Sequence, residues 1–337
     1  MTSRKVCLYA VNVHSGGGAV LLNEAVASFR NAGDIVLLIV DERFQLKIDN
    51  DNANDINIIY VSTSIKDRLI AEFTYRGVIN DCDLIFFFGN LPPFHKFIPK
   101  SYLFMQNRFL VDNDALGYLD NTIVKYKLIV EKFIFNHFNK NVDEIIVQTK
   151  TMQNLVLNSI NRKAEIIPFI ATDLRKNKRK INVSEKVFLF VASGEMHKNH
   201  LNLIKAWDIL AKNNVFPKLY LTLSEIYYSR LLKLVDRKVN VINLGSLNRD
   251  QLQNIYNDGA VLIYPSFVES LGLPLLEAKE LGLDIIASEL DYVRDIVNPI
   301  ETFDPKSPIS IARSVIRYLD LDKTNFQTLD IAKVIGS

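Results

Sequence analysis

The sequence predicts an α/β fold made of two domains that face each other, each built around a parallel sheet. The chain has 337 residues, which is more than one hydrophobic core usually serves. Short apolar, β-branched runs alternate with helix-length amphipathic stretches, and this alternation is typical of parallel sheets that helices cover on both faces. A basic stretch at 171–185 interrupts the alternation once, so we expect a linker there.

The first half of the chain, residues 1–170, is predicted to form the first domain. Apolar runs predict its strands, and amphipathic stretches between them predict its helices. The predicted strands are Lys5–Val13, Asp34–Val40, Ile56–Val61, Leu84–Phe88, Tyr102–Met105, Glu144–Val147 and Ala164–Ile167. The predicted helices are Ala19–Asn31, Ile65–Asn80, Asn121–Asn139 and Lys150–Asn158.

The second domain is predicted at 186–322, and a tail at 323–337 could return to the first domain. The linker before it is read as a solvated connector, with a patch that faces phosphate as the alternative. Its basic residues are Arg175, Lys176, Lys178, Arg179 and Lys180. The predicted strands are Lys186–Ala192, Lys218–Leu223, Val239–Asn243, Gly259–Tyr264 and Asp284–Ala287. The predicted helices are Asn199–Lys212, Glu225–Asp236, Asn248–Asn257, Pro274–Leu281 and Pro308–Leu319.

The composition excludes several classes of protein. Lys plus Arg number 40 against 38 Asp plus Glu, a net charge of +2, which argues against a dedicated nucleic-acid binder. Cys7 and Cys82 are too few for a disulfide framework and lack metal-ligand spacing, so a reducing, cytoplasmic setting is expected. We expect no secretory signal and no membrane-spanning helix, because no apolar run reaches the required length.

The segment from Tyr264 to Glu277 is the most informative part of the sequence. It predicts a strand ending at Tyr264, a turn, and a helix opening near Gly272 and Pro274, where glycine permits close backbone approach and proline suits the first helical position. The amides at the helix start would face the interdomain cleft and form a cradle for a diphosphate. The cradle residues are Ser270, Leu271, Gly272 and Leu273.

Two glutamates flank this turn. Glu277 lies about one helical turn inside the helix, where its carboxylate could accept hydrogen bonds from ribose hydroxyls. Glu269 lies just before the turn and could hold a sugar hydroxyl or the charge that develops on a sugar ring. An ordinary helix start with two solvated acids is the alternative.

These residues resemble the signature of retaining glycosyltransferases of family 4, the glycosyl transferases group 1. That family has the GT-B fold of two facing Rossmann-like domains. The similarity covers most of 186–297; over the first half it rests on layout and a glycine turn. The segments that carry it are Glu269–Glu277, His197–Trp207, Gly245–Leu247 and Tyr292–Asp295.

The resemblance implies a nucleotide-diphosphate sugar as co-substrate, with no metal and no further cofactor. In the family a lysine and an arginine hold the donor diphosphate. Lys198 matches the lysine, but Ser193 stands at the position of the arginine, and a serine hydroxyl gives one bond where a guanidinium gives two. Either Ser193 and backbone amides suffice, or donor binding is weak, or another cation compensates. Ser246 and Leu247 match the loop that meets the base.

The first half offers a second set of candidates. A glycine run at 16–18 is read as a turn before a helix at Ala19, and the resemblance places Gly17 and Gly18 against the donor phosphate. Its spacing does not fit a dinucleotide cofactor, and a simple tight turn is the alternative. The remaining candidates could touch the sugar or acceptor, and one of them, an arginine, could supply the missing positive charge. They are His14, Gln106, Asn107 and Arg108.

The helix predicted at 121–139 is basic and aromatic, and such a helix can lie on an anionic membrane surface. A core-facing helix with solvated lysines is the alternative. The basic residues here are Lys125, Lys127, Lys132 and Lys140, and the aromatic ones are Tyr126, Phe133, Phe135 and Phe138.

The resemblance implies that the chain is a retaining hexosyltransferase of bacterial surface polysaccharide or lipopolysaccharide synthesis. The acceptor would be a glycan or a lipid-linked oligosaccharide, held on the side of the first domain, and the protein would be cytoplasmic or peripheral on the inner membrane. Lys198 and Glu269 would be catalytic, with the donor phosphate assisting proton transfer. A GT-B epimerase and a catalytically silent sugar-nucleotide-binding subunit are the alternatives.

Overall fold

The computed structural model describes residues 3–14, 16–46, 55–62, 64–168, 186–235 and 239–319. Two parallel sheets lie one after the other along the chain, the first formed before residue 168 and the second after residue 186. The predicted linker at 171–185 and tail at 323–337 lie outside the described residues.

The first sheet has the strand order β3-β2-β1-β4-β5-β6-β7, and all its pairs are parallel. Its strands are β1 (Lys5–Ala10), β2 (Ile35–Asp41), β3 (Ile56–Val61), β4 (Leu84–Phe87), β5 (Lys100–Phe104), β6 (Glu144–Val147) and β7 (Glu165–Ile166). Its helices are α1 (Gly16–Asn31), α2 (Ile65–Thr74), α3 (Arg76–Asn80), α4 (Thr122–Phe138) and α5 (Lys150–Ile160).

The second sheet repeats this design with the order β10-β9-β8-β11-β12-β13, again all parallel. Its strands are β8 (Val187–Phe190), β9 (Lys218–Leu221), β10 (Val241–Asn243), β11 (Val261–Tyr264), β12 (Ile285–Ser288) and β13 (Glu301–Phe303). Its helices are α6 (His200–Lys212), α7 (Glu225–Leu232), α8 (Arg249–Asn257), α9 (Leu273–Leu281), α10 (Asp291–Arg294) and α11 (Pro308–Tyr318). The predicted fold class is confirmed. No helix in the described part of the chain is long and apolar enough to cross a membrane.

Strand β1 shows why the sequence folds into layers. Cys7 and Tyr9 pack into a core on one side of the first sheet, while Val6 and Leu8 pack into a second core on the other side. Successive side chains of a strand point to opposite faces, so a strand with helices on both sides must be apolar throughout.

Several elements differ from the prediction, mostly by a few residues at their ends. The helix predicted at Ile65–Asn80 is two helices that meet at Tyr75. The first helix begins at Gly16, three residues before the predicted start at Ala19. Neither β13 nor α10 was predicted from the sequence, because each is too short to show a periodic pattern.

His200, at the start of α6, is buried between two aromatic rings. Its ring centroid lies 4.7 Å from that of Phe190 and 5.9 Å from that of Tyr227. Neither ring nitrogen has a hydrogen-bond partner among the described residues. Burial, with a smaller effect of Lys198 and His197, lowers the pKa of His200 to about 3, so the ring stays neutral.

We expect His200→Leu to make the protein less sensitive to acid. In the wild type the unfolded chain takes up a proton at His200 below pH 6.5 and the folded chain does not, so stability falls as the pH drops from 6.5 towards about 3. Relative to the wild type, the variant should gain roughly 1.4 kcal/mol per pH unit below that point. Denaturant unfolding at pH 7 and pH 5 measures this, and equal pH dependence in both proteins would contradict it.

Candidate active site

The cleft between the two domains lies where the carboxyl ends of both sheets meet. The Thr149 hydroxyl, after β6, donates a hydrogen bond to the Ser270 carbonyl, after β11, at 3.3 Å. The backbone N–H of Thr151 donates to Asp295 Oδ2 at 2.7 Å. Tyr118 of the first domain stacks on Phe267 of the second, with centroids 4.6 Å apart. The carboxyl ends of the two sheets thus face each other, and a ligand of such folds is expected between them.

Helix α9 opens towards this cleft with uncapped amides. Gly272 immediately precedes the helix with a φ of 77°, a conformation that glycine adopts without strain. Gly272 has no side chain to cap the first turn, Pro274 carries no N–H, and the Leu275 N–H donates to the Gly272 carbonyl at 2.9 Å. The orphan N–H groups and the helix dipole favour an anion here, as the sequence predicted.

The glycine run faces α9 from the first domain, but not as the predicted loop. Gly16 begins α1, so Gly17 and Gly18 lie in its first turn. The prediction of a turn before a helix at Ala19 is wrong, because Gly17 and Gly18 take helical geometry and Gly16 alone of the three has a positive φ. A Cβ at Gly17 would lie 3.0 Å from Leu273 Cδ1. The starts of α1 and α9 therefore approach each other across the cleft.

Lys198 and Glu269 form an ion pair beside the start of α9. Lys198 Nζ lies 2.8 Å from Glu269 Oε1 and 3.0 Å from Oε2, and the two side chains are only 17% and 10% exposed. Lys198 ends a short 3-10 turn that precedes α6. Asn199, the next residue, anchors this turn by donating to the carbonyls of Pro265 and Pro305. Lys198 and Glu269, which the sequence predicted as separate site residues, are thus in direct contact.

Tyr264, at the end of β11, fixes the Glu269 carboxylate. Its hydroxyl donates to Glu269 Oε1 at 2.8 Å. Burial, together with the charge of Glu269, raises the pKa of Tyr264 well above its ordinary value, so the hydroxyl keeps its proton and remains a donor. The sequence marked Tyr264 only as the end of a strand, and no local signal indicated this contact.

Arg108 reaches the same place from the first domain. Its Nε donates to Asp112 Oδ2 at 2.7 Å, and its Nη1 donates to the Glu269 backbone carbonyl at 3.4 Å. Asp112 is itself held by the N–H groups of Asp114 and Ala115. Ser193, in contrast, is exposed and donates its hydroxyl hydrogen bond to the Glu195 carboxylate. Of these two candidates, the guanidinium is the one placed at the cleft.

Gln106 and Asn107 follow β5 and have different surroundings. The side-chain oxygen of Asn90 accepts from both of their backbone N–H groups, at 2.5 and 2.8 Å. Asn107 Oδ1 accepts from the Phe109 N–H, so this side chain shapes the turn. Gln106 Nε2 is buried with no hydrogen-bond partner among the described residues, and its Oε1 lies 3.5 Å from the position of a Cβ at Gly18. Gln106 is therefore the amide still able to bind a ligand.

His14 belongs to a charged cluster at the end of β2. Its Nδ1 lies 3.3 Å from Arg43 Nη2 and 3.7 Å from Asp41 Oδ2. Asp41 is fully buried and binds the Arg43 guanidinium at 2.9 and 2.6 Å. Neither Asp41 nor Arg43 was predicted as a site residue, because an acid at a strand end beside an arginine is a common sequence pattern.

Glu277 lies inside α9, and the loop that carries Ser246 and Leu247 lies between β10 and α8. Tyr256 donates its hydroxyl hydrogen bond to Glu277 Oε2 at 3.0 Å. Burial raises the pKa of Glu277, although the bond from Tyr256 and the charge of Arg249 oppose this. Within the described residues, no group of three or more His, Cys, Asp or Glu is arranged to hold a metal ion.

We expect binding of a ribose-containing ligand to weaken in mild acid. The ionised Glu277 carboxylate accepts stronger hydroxyl hydrogen bonds than the neutral acid, and its raised pKa means that it loses charge at a higher pH than the usual 4.5. Affinity should therefore be full at pH 7 and fall as the pH approaches the raised pKa from above. Titration calorimetry with a nucleoside diphosphate measures this. Glu277→Gln should bind more weakly at pH 7 and lose the dependence; an unchanged profile would contradict the assignment.

The second domain matches a known family. Residues 172–330 match the family model of glycosyl transferases group 1. A serotype-specific mannosyltransferase of Escherichia coli, WbdA, is 24% identical over 213 residues, which are 60% of this chain and 26% of that protein. An uncharacterized glycosyltransferase of Methanocaldococcus jannaschii is 32% identical over 143 residues, 40% of this chain and 36% of that protein. The matched part of the chain thus spans about a quarter to a third of the length of these relatives.

The fold also matches solved structures over nearly the whole chain. The HepE protein of Anabaena, solved in complex with UDP and glucose, superposes with a TM-score of 0.67 at 13% identity, covering 95% of this chain and 90% of that one. At this low sequence identity, the similarity shows a shared fold and nothing further. The predicted resemblance to group 1 glycosyl transferases and the GT-B architecture are confirmed.

Proposed function

We propose that this chain, with its match to group 1 glycosyl transferases, moves a hexose from a nucleotide-diphosphate sugar to a glycan or lipid-linked acceptor. The observation that carries the proposal is the cleft itself. The Lys198–Glu269 pair, the uncapped start of α9 and the glycine start of α1 converge there from both domains. Positive charge and N–H donors suit a diphosphate, and a carboxylate can accept hydrogen bonds from sugar hydroxyls; the residues around the cleft offer both.

We assign several of the candidate residues to parts of the donor. Lys198 and the amides at 270–273 would hold the diphosphate, with Gly17 and Gly18 closing over it. Glu277 would bind the ribose, and the loop at Ser246 and Leu247 would meet the base. Gln106, with its unpartnered amide, would bind a hydroxyl of the sugar or acceptor.

We propose retention of the anomeric configuration and a reaction that needs no metal ion. As the bond between the sugar C1 and the diphosphate oxygen breaks, the acceptor oxygen would bond to C1 on the same face. The acceptor's proton would pass to the departing diphosphate oxygen. Lys198 would stabilise the negative charge on the leaving group, and Glu269 the positive charge that develops on the sugar ring. Tyr264 holds the Glu269 carboxylate in place.

Arg108 is proposed as the second cation of the donor site. With Ser193 bonded to Glu195, the family's arginine position supplies no charge. Asp112 orients the Arg108 guanidinium through Nε, and Nη1 reaches the Glu269 backbone carbonyl at 3.4 Å. The first domain would therefore bring the charge that the second domain lacks.

A role in surface polysaccharide synthesis, inside the cell, is the setting we propose. The serotype-specific relative in Escherichia coli and the resemblance support it. His14, which lies beside Arg43 and Asp41, is proposed to meet the acceptor.

A nucleotide-sugar panel tests the function. A thermal-shift screen with UDP, GDP, TDP and ADP sugars should find one donor that raises the melting temperature, because a ligand that binds only the folded state stabilises it. Transfer from that donor to an acceptor extract, followed by NMR of the product, should show retention, and chelation of divalent ions should leave the rate unchanged. An epimerised sugar without acceptor would favour an isomerase, and binding without transfer to any acceptor a silent subunit.

A further inference from the structure

The two cysteines of the chain lie side by side in the first domain. Cys7 belongs to β1, and Cys82 lies in the segment between α3 and β4. Both are buried in the core on one side of the first sheet, and their thiols share a hydrogen bond. The Cys82 thiol also donates to the Val78 carbonyl at 3.4 Å. The first domain therefore holds a pair of thiols in contact, away from the residues assigned to sugar transfer.

Backbone hydrogen bonds fix the segment of Cys82 against the start of β1. The Asp83 N–H donates to the Lys5 carbonyl at 2.8 Å, and the Lys5 N–H donates to Asp83 Oδ2, also at 2.8 Å. Beyond this point β1 and β4 pair in parallel, with Cys7 opposite Ile85. Lys5 and Cys7 are two residues apart on one strand, so their side chains point to the same face of the sheet. Cys82 meets both of them on that face.

A pocket of about 320 Å³ reaches Cys82 from the amino ends of β1 and β2. The cleft lies at the carboxyl ends of these strands, so the pocket is on the opposite edge of the sheet. Cys82 is 9% exposed and Cys7 is 0% exposed. A small reagent that enters the pocket therefore meets Cys82 first, with Cys7 behind it. The pocket is also lined by apolar Ile35, Leu37, Ile59 and Val78 and by charged Lys5 and Asp81.

The surroundings of Cys82 favour its thiolate form. The hydrogen bond from Cys7 lowers the pKa of Cys82, and burial opposes this effect. The charge of Lys5 lowers the pKa of Cys82 further, against smaller opposing effects of Asp83 and Asp81. The same hydrogen bond raises the pKa of Cys7, so Cys7 keeps its proton as the donor. Because the thiolate is the nucleophilic form of cysteine, Cys82 is the thiol that should react first.

We propose that Cys82 is a site of oxidation by hydrogen peroxide and that Cys7 then forms a reversible disulfide with it. The Cys82 thiolate attacks one peroxide oxygen, the O–O bond breaks, and the other oxygen leaves as hydroxide, which takes a proton from solvent. The Cys7 sulfur then attacks the sulfenic acid at Cys82. The S–O bond breaks, the S–S bond forms, and the released hydroxide takes the Cys7 proton. Two thiols thus lose two electrons, and the peroxide is reduced to two molecules of water.

Counting maleimide adducts by mass spectrometry tests the proposal without requiring enzymatic activity. The reduced protein, unfolded in N-ethylmaleimide, should gain two adducts, one for each cysteine. Protein treated with hydrogen peroxide while folded should gain none, and dithiothreitol should restore both by thiol–disulfide exchange. Peptide mapping of the oxidised wild type should show Cys7 and Cys82 joined within one chain. Any adduct that remains after peroxide, or a disulfide between two copies of the chain, would overturn the proposal.

Single variants separate the roles of the two thiols, while the mapping on the wild type stands even if a variant fails to fold. In Cys7→Ala the sulfenic acid at Cys82 has no second thiol, so dimedone should trap it; in Cys82→Ala the buried Cys7 should stay reduced. Lys5→Gln should slow the reaction with peroxide about three-fold or more, because it removes a charge that favours the thiolate. Lys163→Gln changes an exposed lysine before β7 and should leave the rate unchanged. Equal oxidation of Cys7 and Cys82 in these single-cysteine proteins would contradict the assigned order.

Discussion

Replacing Lys198 with alanine should lower the rate of sugar transfer about 100-fold while the protein stays folded. In the proposed reaction Lys198 is the cation nearest the leaving diphosphate, and removing one preorganised charged donor from a water-poor site costs about that much. The loss should appear mainly in kcat, since negative charge on the leaving group grows in the transition state. Single-turnover transfer with saturating donor measures it.

Two further variants separate this role from a general disturbance. Lys212→Ala removes a lysine from α6, the helix that follows Lys198; this lysine is 46% exposed and paired with Asp208, and the variant should keep the full rate. Lys198→Arg retains the charge but not the shape, so an intermediate rate is expected. Glu269 remains bonded to Tyr264 in Lys198→Ala, which limits the damage to the fold. A rate near that of the wild type in Lys198→Ala would remove Lys198 from the mechanism.

The sequence predicted the strands correctly where both faces of the strand are buried. Strands such as β1 and β11 are buried on both faces and therefore appear as unbroken apolar runs. The pattern fails where an element is short or lies at an edge. Strand β13, at the end of its sheet, has the sequence Glu-Thr-Phe, of which only Phe303 is buried.

The site was readable only in separate pieces. Lys198 and Glu269 each stand beside a helix start, a feature that local sequence shows, but their ion pair joins residues 71 positions apart. Arg108 and Glu269 are 161 positions apart and belong to different domains. Such contacts depend on how the two sheets are placed against each other, and a single sequence holds no periodic signal for that placement.

Arg108→Met should reduce transfer about 100-fold, and Ser193→Arg should restore part of the loss. If Arg108 is the second phosphate ligand, its removal leaves Lys198 as the remaining cation at the diphosphate, at a cost similar to losing another charged donor. An arginine at position 193 would supply a guanidinium to the diphosphate from the second domain. The Glu195 carboxylate would compete for this guanidinium, so the recovery should be incomplete. Donor affinity by calorimetry and the transfer rate should change together.

The four proteins of this set form a double-mutant cycle, and the interaction between the two changes is its decisive quantity. Compensation predicts that Ser193→Arg helps the Arg108→Met protein much more than it helps the wild type, which already has two cations. Equal gains in both backgrounds would mean that the two positions act independently. Arg317→Met, which removes an arginine paired with Glu301, serves as the control and should leave the rate unchanged. Should Arg108→Met also keep its rate, the charge at the diphosphate must come from Lys198 and the helix-end amides alone, and α1 and α9 would then carry more of the binding than the present assignment gives them.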